Sequence, residues 1–343
     1  YSDDIFKKLT IIPDGKNHGM IMLLDWSGSM SDVLYNTVKQ LINLVEFCRK
    51  VNIPYEVYFF TSERGYDRDN TKDFSKNIGE FIFEDFSLVN CLSHRMNKKQ
   101  ADHALKMMFH MGMYFDNRYV SRRNSFEDHE TYEAQCNNWG IPSKYYLGNT
   151  PLNESLIYLN KLIPMYKKKY DIEKLTFITL TDGSGNYPRG KIIGEGDKDW
   201  EKTEVFNLDG DKFTSKHNIT ESLLNHIKKS HGANVIGFYI VKRVRRWDIE
   251  KFITNYSDYS DKIAKYNTMR KQMTKDKAIA VDHEGYHKYF ILDGKKLDIQ
   301  NFDMNQETVK KGTASELKRI FGKSMQNRLV SRVVLNKFIQ EVA

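Results

Sequence analysis

Residues Met20-Ile21-Met22-Leu23-Leu24-Asp25-Trp26-Ser27-Gly28-Ser29-Met30 constrain the fold more than any other stretch. An uninterrupted apolar run leads into a carboxylate, and hydroxyls follow at alternate positions. Such a run predicts a strand buried on both faces, as in a parallel sheet. In an open α/β sheet, ligands bind just beyond the carboxyl ends of the strands. Asp25, Ser27 and Ser29 are therefore expected on a loop at the mouth of a sheet. Three oxygen donors within five residues suit a hard cation such as Mg²⁺.

Two later stretches supply matching chemistry. Gly148-Asn149-Thr150-Pro151-Leu152-Asn153-Glu154 places a hydroxyl at the start of a helical pattern. Leu175-Thr176-Phe177-Ile178-Thr179-Leu180-Thr181-Asp182-Gly183 is a second apolar run that ends in a carboxylate. Taken singly, each piece also fits turn or N-cap chemistry. Together they read Asp-x-Ser-x-Ser, then Thr, then Asp. This order resembles the metal-ion-dependent adhesion site of von Willebrand factor A (vWA) domains.

The resemblance spans about residues 19–241. It implies an α/β fold with a doubly wound, mainly parallel sheet. It also implies that Ser27, Ser29 and Thr150 donate hydroxyl oxygens to the metal, while Asp25 and Asp182 supply charge. The expected ion is Mg²⁺, with Mn²⁺ and Ca²⁺ as alternatives. Mg²⁺ keeps part of its water shell when few carboxylates bind it directly. The resemblance implies that an acidic residue of a protein partner completes that shell. Gly19 to Met30 and Asn149 to Leu156 are also similar to the A domain of the cobaltochelatase CobT subunit, of which relatives occur in large T4-like phages. The implied partner is a CobS- or MoxR-like AAA+ ATPase. The chain has no Gly-x-x-x-x-Gly-Lys-Ser/Thr of its own, so any ATP hydrolysis is expected in the partner.

At 343 residues the chain can bury a large core and hold two domains. No apolar run is long enough to span a membrane, and no signal peptide is visible. The sequence opens on Tyr1 and is expected to be the later part of a longer protein. Its three cysteines, Cys48, Cys91 and Cys136, are irregularly spaced and contain no Cys-x-x-Cys. They are read as reduced thiols in a cytoplasmic protein (host cytoplasm if phage-encoded), with Cys48 and Cys91 serving as small buried hydrophobes. The net charge is +8. Part of the excess lies in Lys242-Arg243-Val244-Arg245-Arg246 and between Lys310 and Lys337, which suits an acidic partner or nucleic acid.

Read in order, residues 1–18 form a lead-in segment, 19–241 the vWA-like domain and 242–343 a C-terminal α+β extension. Within the domain, helical spacing predicts helices at Val33 to Lys50, Lys98 to Met113, Pro151 to Lys169 and Ile219 to His231. Strands are predicted at Tyr55 to Thr61, Lys174 to Leu180 and Ala233 to Val241, the last being the final core strand. An insertion at about 62–146 separates Ser29 from Thr150, with a short strand inside Glu80 to Leu92. Ser184 to Lys216 reads as a polar insertion. Beyond Lys242, Trp247 to Tyr256 reads as a short helix and Ser257 to Lys277 as polar chain. Ala278 to Leu292 reads as a hairpin, and Glu316 to Val342 as an amphipathic basic segment.

Two other function classes have residues to support them. His283-Glu284-Gly285-Tyr286-His287 matches His-Glu-x-x-His, and a zinc peptidase would use it with Glu307 or Glu316 as third ligand. Gly285 inside the motif and the strand-like flanks favour a hairpin turn instead. A phage structural or nucleic-acid-associated protein would use Arg243, Arg245 and Arg246 beside Trp247. His94, His103 and His110, and the Glu127-Asp128-His129-Glu130 run, are read as solvated or hydrogen-bonded groups.

Overall fold

The computed structural model describes residues 17–62, 81–83, 86–115, 141–182, 185, 190–192, 205–214, 219–283, 285–294, 334, 337 and 338. A seven-stranded sheet organises them. Strand β1 (His18–Asp25) lies near its centre and pairs in parallel with both β2 (Tyr55–Thr61) and β5 (Lys174–Thr181). Beyond β5 come β9 (Asn234–Val241) and β11 (Lys288–Asp293), also parallel. Antiparallel strands close both edges: β4 (Ser87–Ser93) on β2 and β10 (Ala278–Val281) on β11.

Period-two alternation sends successive side chains of one strand into different layers. Met20, Met22 and Leu24 face α1 (Leu34–Val51) and α2 (Lys98–Phe115). Ile21 and Leu23 face α3 (Leu152–Tyr170) and α4 (Ile219–His231). A central strand that is apolar at every position satisfies both layers at once. Each such side chain contributes about 1.5–3 kcal/mol by burial.

Local signals set the element ends. Asn52 stops α1 in the left-handed region at φ 55°, and its N–H donates to the Cys48 carbonyl. Pro54 follows, and Tyr166 on α3 clamps the turn by donating its hydroxyl to the Pro54 carbonyl at 2.6 Å. Asp171 ends α3 the same way at φ 53°. Asn and Asp adopt this conformation at least steric cost after Gly.

The region expected to elaborate the site is partly structural. It supplies edge strand β4 and, in β3 (Phe81–Phe83), a partner for β6 (Gly190–Ile192). The polar insertion after Asp182 holds a hairpin, β7 (Val205–Leu208) and β8 (Asp211–Thr214). Its turn is tied to the helical layer, because His226 Nδ1 lies 2.7 Å from Asp211 Oδ2 and Asn160 Nδ2 donates to Asp209 Oδ2 at 2.9 Å.

Two expectations for the chain beyond Lys242 are corrected. Val241 does not end the last core strand, because β11 pairs with β9 and carries the sheet onward. The stretch read as polar chain forms an 18-residue helix, α6 (Tyr259–Asp276), which follows the short α5 (Arg246–Glu250). Met273 is its one fully buried residue, with Tyr266 and Met269 partly buried against the same cluster, so its apolar face is narrow. Its start is set by Asp258, whose side chain accepts from the Asp261 N–H at 2.8 Å. Of the amphipathic basic segment, Val334 and Phe338 are described and buried, with Phe338 edge-on to Phe47 at 6.1 Å. Cys48 and Cys91 are free thiols, and burial pushes the Cys91 thiol up to about 12. No helix among the described residues is long and apolar enough to cross a membrane.

Candidate functional site

Strand order locates the crevice. From β1 the chain goes to β2 on one side, then returns to β5 on the other. Connections therefore leave the carboxyl ends of β1 and β5 in opposite directions, which opens a gap between them. Asp25 ends β1, and Asp182 directly follows β5.

Asp25 is fully buried. Its Oδ1 accepts from the Ser27 N–H at 3.1 Å, and its Oδ2 accepts from the Thr181 hydroxyl at 2.7 Å. Burial first, and the charge of Asp182 second, raise its carboxyl to about 7, against the opposing effect of those hydrogen bonds. Burial also raises Asp182, while the Ser29 hydroxyl works the other way. Two carboxylates in one crevice thus resist ionising together.

The hydroxyls form a chain across the mouth. Ser27 Oγ lies 2.9 Å from Ser29 Oγ, and Ser29 Oγ donates to Asp182 Oδ1 at 3.0 Å. Residues Gly28–Asp32 form one 3₁₀ turn, which lifts Ser29 out of the strand line toward Asp182.

The Thr150 segment joins through its backbone. The Gly28 N–H donates to the Gly148 carbonyl at 2.9 Å, and a parallel bridge pairs Ser27 with Gly148. Thr150 follows two residues later, half-buried, with its carbonyl accepting from the Leu152 N–H. Three supports hold this segment. The Asn149 N–H donates to Ser62 Oγ at 2.8 Å. Trp26 donates its indole N–H to the Tyr145 carbonyl at 2.8 Å. A Cβ on Gly148 would lie 2.5 Å from Ser62 Oγ and 2.6 Å from the Ser62 carbonyl, so only glycine allows this approach.

Sequence reasoning did not pick out Thr181 or Ser62. Thr181 alternates with Thr179 at the end of an apolar strand, and polar residues at core positions were the available signal. Nothing in the sequence pairs Ser62 with residue 149, because that contact crosses 87 positions.

The His-Glu-x-x-His stretch does not form a helix. His283 and His287 lie in the connection between β10 and β11, and Glu284 is outside the described residues. His287 Nδ1 accepts from the Val235 N–H at 2.9 Å, and His283 packs against Tyr289 at 4.5 Å. Glu307, Glu316 and Glu127 to Glu130 lie outside the described residues. His103 and His110 are on α2, while His94 stacks edge-on to Tyr55. Among the described residues, no group of three or more His, Cys, Asp or Glu side chains could hold a metal. A hydroxyl-based site falls outside that description.

Arg243, Arg245 and Arg246 leave the end of β9, on the same edge of the sheet as Asp25 and Asp182. Lys242 Nζ pairs with Asp32 Oδ1 at 3.1 Å, joining this basic loop to the turn that carries Ser29.

No protein-family model and no curated protein matches the chain. Among solved structures it is similar to the pilus adhesin SpaC from Lactobacillus rhamnosus GG in an open conformation, at 14% identity, over 90% of this chain and 30% of that one, with a TM-score of 0.37. A second structure of that adhesin matches at 14% identity over 76% and 31%, with a TM-score of 0.33. Proximal thread matrix protein 1 from the mussel byssus matches at 13% identity over 78% and 49%, with a TM-score of 0.31. The chain spans less than half the length of each of these proteins.

Proposed function

We propose that this chain is a metal-dependent protein-binding subunit whose site is of the vWA adhesion type. The observation that carries the reading is the line of oxygens from Ser27 Oγ through Ser29 Oγ to Asp182 Oδ1 at a topological switch point. Adjacent ligands of an octahedral Mg²⁺ ion are about 2.9 Å apart, given metal–oxygen distances of about 2.0–2.1 Å. The 2.9 and 3.0 Å separations of these oxygens fit that edge. The donor set is all oxygen, as a hard cation requires, and two carboxylates supply charge.

Ser27, Ser29, Thr150, Asp25 and Asp182 would hold the ion, Mg²⁺ in our reading, with Mn²⁺ or Ca²⁺ as substitutes. A bound ion supplies an electrophilic position for a carboxylate of the partner. The chain's own residues orient that position. Thr181 and the Ser27 N–H fix the Asp25 carboxylate. Gly148 and Ser62 hold the Thr150 segment against the Ser27 loop.

Similarity to the CobT A domain supports a CobS- or MoxR-like AAA+ ATPase as the partner, in a chelatase-like or remodelling complex. The test is affinity capture from native lysate with wild type and Asp25→Ala, each in Mg²⁺ and in EDTA, with partners identified by mass spectrometry. The expected result is an AAA+ ATPase with wild type in Mg²⁺ only. Identical partners in all four samples would overturn the proposal.

A further inference from the structure

The five cations Lys242, Arg243, Arg245, Arg246 and Arg270 line one hollow with Trp247 at the carboxyl end of β9. Two of them are spoken for. Lys242 pairs with Asp32, and Arg246 Nε pairs with Glu250 at 2.6 Å while lying over the Tyr266 ring. Arg243, Arg245 and Arg270 are exposed and form no ion pair among the described residues. The nearby carboxylates serve the backbone instead. Asp248 accepts from the Arg245 N–H at 2.8 Å, and Asp293 accepts from the Val244 N–H at 3.4 Å. These bonds fix the backbone of the basic loop beside the hollow.

The hollow lies close to the hydroxyl chain. Strands β5 and β9 are neighbours, with Thr181 opposite Tyr239. Lys242 therefore leaves its strand roughly 8 Å from Asp182, from a strand spacing of about 4.8 Å and a rise of about 3.3 Å per residue. Tyr239 lines the hollow and also feels the charge of Asp182.

We propose that this hollow is the second half of the docking site and takes a second acidic side chain from the same partner segment. The inference rests on the metal-dependent reading above. It commits to an acidic peptide with two carboxylates about two to four residues apart in extended chain, since each residue spans about 3.3 Å. One carboxylate meets the metal position, and the other meets Arg243, Arg245 and Arg270. Guanidinium groups suit this role, because their planar fork binds carboxylates in bidentate fashion. Nucleic acid fits less well. A nucleic-acid backbone would carry its repeating charge past the carboxylates of Asp32 and Glu250 that flank the hollow, whereas a single carboxylate needs only the unpaired guanidinium groups.

Fluorescence anisotropy on the full chain tests this with two labelled Gly/Ser decapeptides, one carrying a single Glu and the other carrying two Glu three positions apart. In Mg²⁺, the two-Glu peptide should bind wild type about tenfold more tightly than the one-Glu peptide, a typical yield for more than one charge pair near a surface. The Arg243→Ala/Arg245→Ala variant should abolish that difference and leave one-Glu binding unchanged. Equal binding of both peptides to wild type, or an undiminished difference in the variant, overturns the proposal. Loss of Mg²⁺ dependence for the one-Glu peptide would instead overturn the metal-dependent reading, and Arg-dependent two-Glu binding would then still uphold the basic hollow. Tighter Arg-dependent binding of a single-stranded oligonucleotide than of the two-Glu peptide would also overturn the acidic-segment proposal.

Discussion

Ser29 donates its hydroxyl hydrogen to Asp182 Oδ1 across 3.0 Å, joining residues 153 positions apart in the chain. The contact exists because β1 and β5 run side by side in parallel, with Leu24 opposite Leu180. Each strand then delivers its polar end to the same edge. The functional reading depends on this meeting.

Without metal, Asp25 should make the protein less stable as pH rises. Its folded carboxyl is raised to about 7, so between about pH 4 and pH 7 the folded state holds a proton that the unfolded state has lost. That contribution is present at low pH and lost as pH passes 7. In EDTA at pH 8, Asp25→Asn should therefore be more stable than wild type, by up to a few kcal/mol. Adding Mg²⁺ at about one hundred times its Kd should stabilise wild type by about 2.7 kcal/mol and the variant not at all. Wild-type affinity for Mg²⁺ should climb with pH until above 7, since ligation requires the deprotonated carboxylate. Urea unfolding at several pH values, with and without Mg²⁺, measures all three.

Gly148→Ala should separate the Thr150 segment from the Ser27 loop. The added methyl would sit 2.5 Å from Ser62 Oγ and 2.7 Å from Thr61 Oγ1. Overpacking of this kind costs about 1–3 kcal/mol. Calorimetric titration should also show weakened Mg²⁺ binding. A variant with wild-type stability and affinity would mean that the segment's position is irrelevant to the site.

Trp26→Phe keeps the ring packing against Phe59, whose centroid lies 4.9 Å away, but deletes the donor to the Tyr145 carbonyl. Losing the bond to this part-buried carbonyl, together with the smaller ring in a closed core, costs about 1–3 kcal/mol. Denaturant unfolding should show that loss with the slope m unchanged.

Acid should loosen the β10–β11 end of the sheet through His287. Its Nδ1 accepts from the Val235 N–H, and burial and Lys228 both lower its pKa from the ordinary 6.5. A depressed imidazole contributes stability above 6.5 that is lost as pH falls through its folded value. Protonation would place a donor against a donor. Hydrogen exchange at the Val235 amide should accelerate between pH 7 and 5 beyond its intrinsic trend, and less so in His287→Asn. Substituting Glu284 with Gln should leave exchange and unfolding unchanged, as the hairpin reading of the sequence expects.

The sequence by itself determined the elements whose burial is complete or one-sided. β1, β5 and β9 lie in the middle of the sheet between two helical layers, so their runs are mostly apolar on both faces and stand out in the sequence. Helices α1, α3 and α4 each show one apolar stripe at helical spacing. The turn chemistry of Asn52-Ile53-Pro54 likewise acts within a few residues.

Tertiary structure alone decided the rest. Helix α6 shows only a narrow apolar face, Tyr266, Met269 and Met273, because it lies at the sheet's end with Met273 as its one fully buried residue. Strands β10 and β11 read as a hairpin, but their membership of the main sheet depends on the pairing of Lys288–Asp293 with Ile236–Val241. At the site, local sequence named Asp25, Ser27, Ser29, Thr150 and Asp182 as oxygen donors. The register of β1 on β5 chose which hydroxyl meets Asp182, and Gly148 and Ser62 set where Thr150 lies. Periodicity reports what a residue's own element buries, and it carries no information about which distant strand end will stand beside it.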